Sequence, residues 1–268
     1  MAYPIFPLAI ITAIKHAHVS RAFVLTIAAF ALSIVAPASS ADDNEAPFDV
    51  AEIFFELNNT DGDLGIHALI DGEAWKKLEI EDPRERRMLN IRVNGRLRRQ
   101  GLTEIFFESA EPPFDELAPE TFFRRFPEGE YEVEGMTLDG QELESEVALT
   151  HVMPAPPVVK VNGMPAAPDC DSDLPIVSGD VIISWDPVTR SHPDLGTSGV
   201  DIDVVNYEVV VEIEETPFKT SVILPPDATS FQVPSEILDL SEGEVKFEVL
   251  VREASFNQTA VESCFELE

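Results

Sequence analysis

Apolar and polar residues alternate with period two along much of the chain. Val181, Ile183 and Trp185 alternate with Asp180, Ile182 and Ser184, and Val205, Tyr207, Val209, Val211 and Ile213 with Asn206, Glu208, Val210, Glu212 and Glu214. Val245, Phe247, Val249 and Val251 form a third run. Earlier in the chain Ile53, Phe55 and Leu57 alternate, as do Leu89, Ile91 and Val93, and then Leu143, Val147 and Leu149. Period two places every second side chain on one face of a strand, so these runs predict strands with one buried face. Asp139-Gly140 between two runs is a type I′ hairpin signal. Short strands with turn signals between them predict an all-β chain of sandwich architecture. One segment breaks the period: Phe122 and Phe126 lie four apart, Pro119 precedes them and Pro127 follows. Proline in the first turn and just beyond the last brackets a short helix, Pro119 to Arg125.

The segment Met153-Pro154-Ala155-Pro156-Pro157 divides the chain. Its prolines cannot donate within a central strand and favour a stiff, extended spacer. The pattern therefore predicts two β-rich domains, 42–153 and 158–268, joined by a proline linker at 154–157. Residues 1–41 read differently. They hold no Asp or Glu, have Lys15 and Arg21 as their cations, and carry the apolar run Ala22 to Ala36 followed by small residues at two possible cleavage points. A basic start, an apolar stretch and small residues before a cut describe a secretory signal peptide. An uncleaved anchor is the alternative, although the run's 15 residues fall short of the roughly 20 of a spanning helix, and no later segment is long and apolar enough to provide one. The expected mature chain is exported, secreted or at the cell surface or periplasm, with no membrane span.

Charge narrows the partners. The 268 residues include 50 Asp and Glu against 18 Lys and Arg, a net charge of −32. Such a surface repels DNA and anionic lipid, so nucleic acid is excluded as a partner. Nine cations nevertheless crowd between Lys76 and Arg99: Lys76, Lys77, Arg84, Arg86, Arg87, Arg92, Arg96, Arg98 and Arg99. Pairing with Glu79, Glu81, Asp82 and Glu85 on a solvated hairpin is the expected explanation. A positive face suited to an anionic partner or to self-association is the alternative.

Glu128-Gly129-Glu130-Tyr131-Glu132-Val133 resembles the approach to strand F of an immunoglobulin-like domain, where a tyrosine hydroxyl ties back to the preceding corner. The pattern returns at Glu242-Gly243-Glu244-Val245-Lys246-Phe247. The second half resembles a fibronectin type III domain: Pro156-Pro157 leads into strand A, Trp185 falls at the tryptophan of strand B, Tyr207 at the tyrosine of strand C, and Phe247 where strand F usually has Tyr. Taken whole, the chain resembles a secreted bacterial protein with a fibronectin type III domain preceded by an immunoglobulin-like β-sandwich. Phe247 cannot make the tyrosine-corner bond, and no Arg-Gly-Asp triplet occurs, so integrin-type attachment does not carry over. Cys170, between strands A and B, and Cys264, in the last strand, lie at edges that are close in this fold. Being the only cysteines of an exported chain, they are expected to form a disulfide.

Little else points to chemistry. Clusters of oxygen-bearing side chains at Asn59, Asp61 and Asp63, at Asp169, Asp171 and Asp173, and at Asp194, Asp201 and Asp203 could offer hard oxygens to calcium. The first run has Leu64 and Ile70 where an EF-hand needs Gly and a bidentate Glu. The loop with Asp194, Asp201 and Asp203 is therefore the preferred structural calcium site, and no other cofactor is expected. His67, His151 and His192 are widely separated, and no GxSxG, HExxH or phosphate-binding glycine loop occurs. These readings predict a non-enzymatic binding, adhesion or structural protein whose partner is an extracellular protein or polysaccharide. The alternative is a polysaccharide-active hydrolase or its accessory module, for which Trp75 and Phe54, out of phase in their strands, are candidate exposed aromatics.

Overall fold

A computed structural model describes residues 45–241 and 243–268. The signal-peptide expectation for 1–41 lies outside the described residues. The first half comprises β1 (Glu45–Ala46), β2 (Val50–Asn58), β3 (Asp63–Glu81), β4 (Arg87–Arg92), β5 (Leu102–Glu108), α1 (Pro119–Arg125), β6 (Gly129–Thr137) and β7 (Glu142–Leu149). The second comprises β8 (Val159–Val161), β9 (Met164–Pro165), β10 (Ile176–Val177), β11 (Ile182–Trp185), β12 (Val204–Glu212), β13 (Lys219–Leu224), β14 (Ser230–Gln232), α2 (Ser235–Leu238), β15 (Glu244–Glu253) and β16 (Gln258–Leu267). Among the described residues no helix is long and apolar enough to cross a membrane.

The alternating runs form strands whose inward sides build two cores. Ile53, Phe55, Leu57, Trp75, Tyr131 and Val133 belong to the first, which reaches from Phe48 to Met153. Trp185, Tyr207, Val209, Phe247 and Phe265 belong to the second, from Val159 to Phe265. In the second half a four-stranded sheet, β14-β11-β8-β9, faces β13-β12-β15-β16 across that core. This is a two-layer β-sandwich.

The first half is built around β3. Its first part, Asp63 to Asp71, lies between β2 and β5; its second part, from Trp75 to Glu81, pairs with β6 and β4. Register shifts between Asp71 and Trp75 and between Trp75 and Lys77 mark the bend that carries β3 from one layer to the other. α1 closes one end of this core, with Phe122 and Phe123 edge-on to Phe55 at centroid distances of 5.5 Å each. The β6–β7 connection is not the expected type I′ turn, which needs two positive φ angles. Gly140 alone has one (φ 100°), because the Thr137 hydroxyl organises a longer loop by accepting the Gln141 amide at 2.9 Å.

The halves meet in one sheet. β16 of the second pairs in parallel with β2 of the first, Gln258 opposite Glu56, Thr259 opposite Leu57 and Ala260 opposite Asn58. The resulting order is β1-β7-β6-β3-β2-β16-β15-β12-β13. The proline segment is extended, as its composition requires, but it is laced in place. The Ala155 amide donates to the Arg190 carbonyl at 2.9 Å, and the Thr259 hydroxyl to the Pro154 carbonyl at 2.8 Å. Asn257, wholly buried, accepts from the Phe55 amide at 2.8 Å and donates to the Thr150 and Val152 carbonyls at 3.0 Å each. One amide side chain thus satisfies three backbone groups at the seam, the Phe55 amide fully buried and the two carbonyls partly so.

Candidate functional site

Parallel pairing of β2 with β16 has a consequence for the outer side of the sheet. Residues pointing away from the two cores form one face across the seam. His67 on β3 lies opposite Phe54 on β2 and Glu108 on β5. Glu56 lies opposite Gln258, which is itself opposite Arg252 on β15, and Arg252 is opposite Asn206 on β12. Glu208 and Ile223, in the next row, carry the face to the far edge. These side chains line a depression of about 390 Å³ containing Phe54, Glu56, His67, Glu108, Glu208, Glu248 and Arg252.

Its floor is pinned by Arg252. The guanidinium pairs with Glu52 at 3.2 Å and lies over the Phe54 ring, 4.3 Å from its centroid. This packing buries Phe54, and Trp75 sits wholly inside the first core with its Nε1 donating to the Thr103 carbonyl. Neither is an exposed aromatic, which corrects the expectation of a sugar-stacking platform at these residues. They were out of phase because Phe54 is covered by a side chain from the other half, and Trp75 stands where β3 shifts register. The exposed apolar side chains of this face are Phe106 and Ile223, 54% and 67% accessible.

The carboxylates here are crowded. Burial, then repulsion from Glu262, Glu56 and Glu212, pushes the Glu248 carboxyl up to about 7, with Lys246 opposing. Burial also raises Glu56, although His67 and Gln258 favour its charged form. Asp63, at the start of β3, is pushed up to about 6 by burial and by Glu111, and its Oδ1 is buried without a partner. The face therefore holds carboxyl groups that titrate near neutrality and attract positive charge.

The residues singled out in the sequence fall elsewhere. Cys170 and Cys264 form a disulfide with a Cα–Cα distance of 5.0 Å, closing a sequence separation of 94. The Tyr131 hydroxyl donates to the Pro127 carbonyl at 3.1 Å, tying strand to corner. Trp185, Tyr207 and Phe247 are buried in the second core, with the Trp185 and Tyr207 rings 5.2 Å apart. The Tyr207 hydroxyl accepts from the Val188 amide at 2.9 Å. The calcium set is not brought together: among the described residues Asp194, Asp201 and Asp203 do not converge as a ligand group, and Asp201 pairs with Arg190 at 2.8 Å. Their loop docks on the first half instead. The Thr197 amide donates to the His151 carbonyl at 2.7 Å, and Gly196 (φ 61°) approaches that carbonyl so closely that a Cβ would lie 2.0 Å from it.

The basic run divides. Glu79 takes Lys77 and Arg87, and Asp82 takes Arg86. Arg92, Arg96, Arg98 and Arg99 make no ion pair among the described residues. Arg92 and Arg98 line a shallow hollow with Lys76 and Lys77. The expected pairing therefore accounts for the turn end of the β3–β4 hairpin and not for the stretch from Arg92 to Arg99 that leads into β5.

No family model matches the chain, and no characterised protein sequence does. Among solved structures, the crystal structure of the chicken CNTN1 FN1–FN3 domains aligns with a TM-score of 0.28 at 10% identity, covering 83% of this chain and 65% of that one, just under two thirds of its length. A two-domain fibronectin type III segment of chicken tenascin gives 0.27 at 10% identity, covering 81% and 97%. A 1.5-MDa bacterial ice-binding adhesin gives 0.24 at 13% identity, covering 84% and 66%.

Proposed function

We propose that the chain is an exported, non-enzymatic binding protein. An immunoglobulin-like first module (42–153) and a fibronectin type III second module (158–268) present one acidic surface to an extracellular partner. The observation that carries this reading is the outer face shared across the β2–β16 pairing, which runs from Glu108 on β5 to Ile223 on β13. A disulfide closing most of the second module fits an oxidising compartment. The chemistry of the face, several carboxylates around Phe106 and Ile223, suits a partner protein with basic side chains set among apolar ones. An adhesive or structural role follows from the same surface.

The test places one charge reversal on each side of the seam. Glu104→Lys on β5 and Glu208→Lys on β12 should each weaken binding of a lysine-rich peptide at least tenfold. Glu144→Lys on β7, which makes the same change in net charge away from this face, should leave it unaltered. Equal losses in all three variants would show that total charge acts and this face does not.

A further inference from the structure

We infer that His67, Glu108 and Glu111 form a binding site for a divalent first-row transition-metal ion on the outer face of the first module. His67 offers a nitrogen, while Glu108 and Glu111 each offer a carboxylate oxygen, and the three ligand atoms all lie within 4.8 Å of one another. Donors around a tetrahedral ion with bonds of about 2.0–2.2 Å stand roughly 3.3–3.6 Å apart. Glu108 is exposed and free to close the remaining distance.

The placement is built from the backbone upward. Antiparallel register sets His67 directly opposite Glu108. Glu111, three residues on, folds back over β3 at Gly65, where a Cβ would lie 1.9 Å from its Oε1. Glycine at 65 is thus what makes room for the Glu111 carboxylate beside the imidazole, 2.9 Å from Nε2. The ring itself is 3% exposed and held between Phe54, with centroids 5.3 Å apart, and Phe106, edge-on at 5.8 Å. Its other nitrogen, Nδ1, faces Glu56 Oε2 at 3.7 Å, and Glu56 is oriented by the Gln258 side-chain amide from across the seam. At that distance the carboxylate acts on the ring through its charge, favouring a proton on Nδ1 and raising the basicity of the nitrogen that faces the ion.

An ion pair alone accounts for less of this arrangement. A protonated imidazole carries one positive charge, whereas Glu56, Glu108 and Glu111 bring three negative ones around it. A divalent ion between Nε2 and the two outer carboxylates neutralises Glu108 and Glu111 and uses an oxygen of each, with a coordination position left for water. The nitrogen donor decides the class, since calcium takes six to eight oxygens.

Zinc is the probe. Isothermal titration of the purified chain, in millimolar Mg²⁺ to occupy diffuse acidic sites, should show one saturable Zn²⁺ per chain. The His67 imidazole ¹⁵N resonances should shift in step with it, Nε2 as the ligated nitrogen. Glu108→Gln and Glu111→Gln should each weaken binding at least tenfold. Gly65→Ala, which alters no charge, should do the same by displacing Glu111. Glu56→Gln should weaken it about 10- to 100-fold. Absence of saturable binding, binding that leaves the His67 resonances unmoved, or unchanged affinity in Glu108→Gln would overturn the proposal. Glu108 is exposed, so its variant decides the matter if the others do not fold. Glu104→Lys and Glu208→Lys leave the three ligands in place, so loss of peptide binding and loss of zinc binding are separate results.

Discussion

The two sides of the large sheet divide the molecule differently. On the inner side, apolar residues separate into two cores, with Met153 packed in the first and Ala155 against the second. On the outer side no such division exists. Glu56 and Gln258, from opposite halves, are partners in the same ladder, and Arg252 from the second half pairs with Glu52 and covers Phe54 in the first. Modularity is thus a property of the interiors, while the candidate binding face belongs to both halves together. Perturbing a core should act locally, and perturbing the seam should act on both.

The largest expected effect tests the second core. Reducing Cys170–Cys264 releases a loop spanning 94 positions, and in the chain-entropy model that closure is worth up to about 4.7 kcal/mol. Calorimetry should show the reduced protein melting well below the oxidised one, in one transition if the seam couples the halves. A second, unmoved transition from the first half would show the seam to be the weaker element.

Asn257→Ala should come next. It leaves the Phe55 amide and the Thr150 and Val152 carbonyls without this partner, and each unsatisfied buried group costs about 1–3 kcal/mol. A net loss of about 3 kcal/mol is expected in denaturant unfolding, with the transition broadening or splitting. A loss confined to one half would break the distinction between core and seam.

Asn257 also shows where the sequence falls silent. The strands, α1, the disulfide and the Tyr131 corner were legible because each follows from local periodicity, bracketing prolines, cysteine count or a short motif. The seam was not. Asn257 sits between two strands as an ordinary turn residue, and nothing nearby announces a bond to Phe55, 202 positions away. His67, Glu108 and Glu111 are likewise ordinary outward residues until β3 pairs with β5. The usable signal was Phe54, an aromatic on the polar phase of β2, which marks a covered outer face. The spacing of Asp194, Asp201 and Asp203 misled because chain proximity does not set carboxylate convergence; docking against His151 sets that loop instead.

The outer face should answer to pH where the cores do not. Glu248 is raised from 4.5 to about 7, so its ionisation is disfavoured in the folded state. That cost is fully present above about pH 7 and disappears as pH falls through the window toward 4.5, where the carboxyl is protonated in both states. Asp63, raised to about 6, acts in the same direction. The melting temperature should therefore rise by about 3–6 °C between pH 8 and pH 5.5, from a relief of roughly 1–2 kcal/mol. Glu248→Gln should flatten most of this dependence. A melting temperature that falls over the same interval would place the controlling group at His192, whose imidazole burial holds below its ordinary value of 6.5, and not on this face.

The smallest effects compare the two cores through their tyrosines. Tyr131 is wholly buried, and its hydroxyl makes one bond, to the Pro127 carbonyl. Phenylalanine keeps the ring and removes that bond, and Pro127 is partly exposed, so water can reach the carbonyl left behind. Tyr131→Phe should cost about 1 kcal/mol, the net worth of one hydrogen bond. The second core carries Phe247 in β15 and draws its tyrosine bond from β12, where the buried Tyr207 hydroxyl accepts from the Val188 amide. Tyr207→Phe leaves that amide without an acceptor and should cost more, about 2 kcal/mol. The two residues share no partner and lie in different cores, so in the double variant the losses should add within about 0.5 kcal/mol. Coupling beyond that would mean the interiors communicate through the seam, and the contrast between divided cores and a shared surface would have to be redrawn.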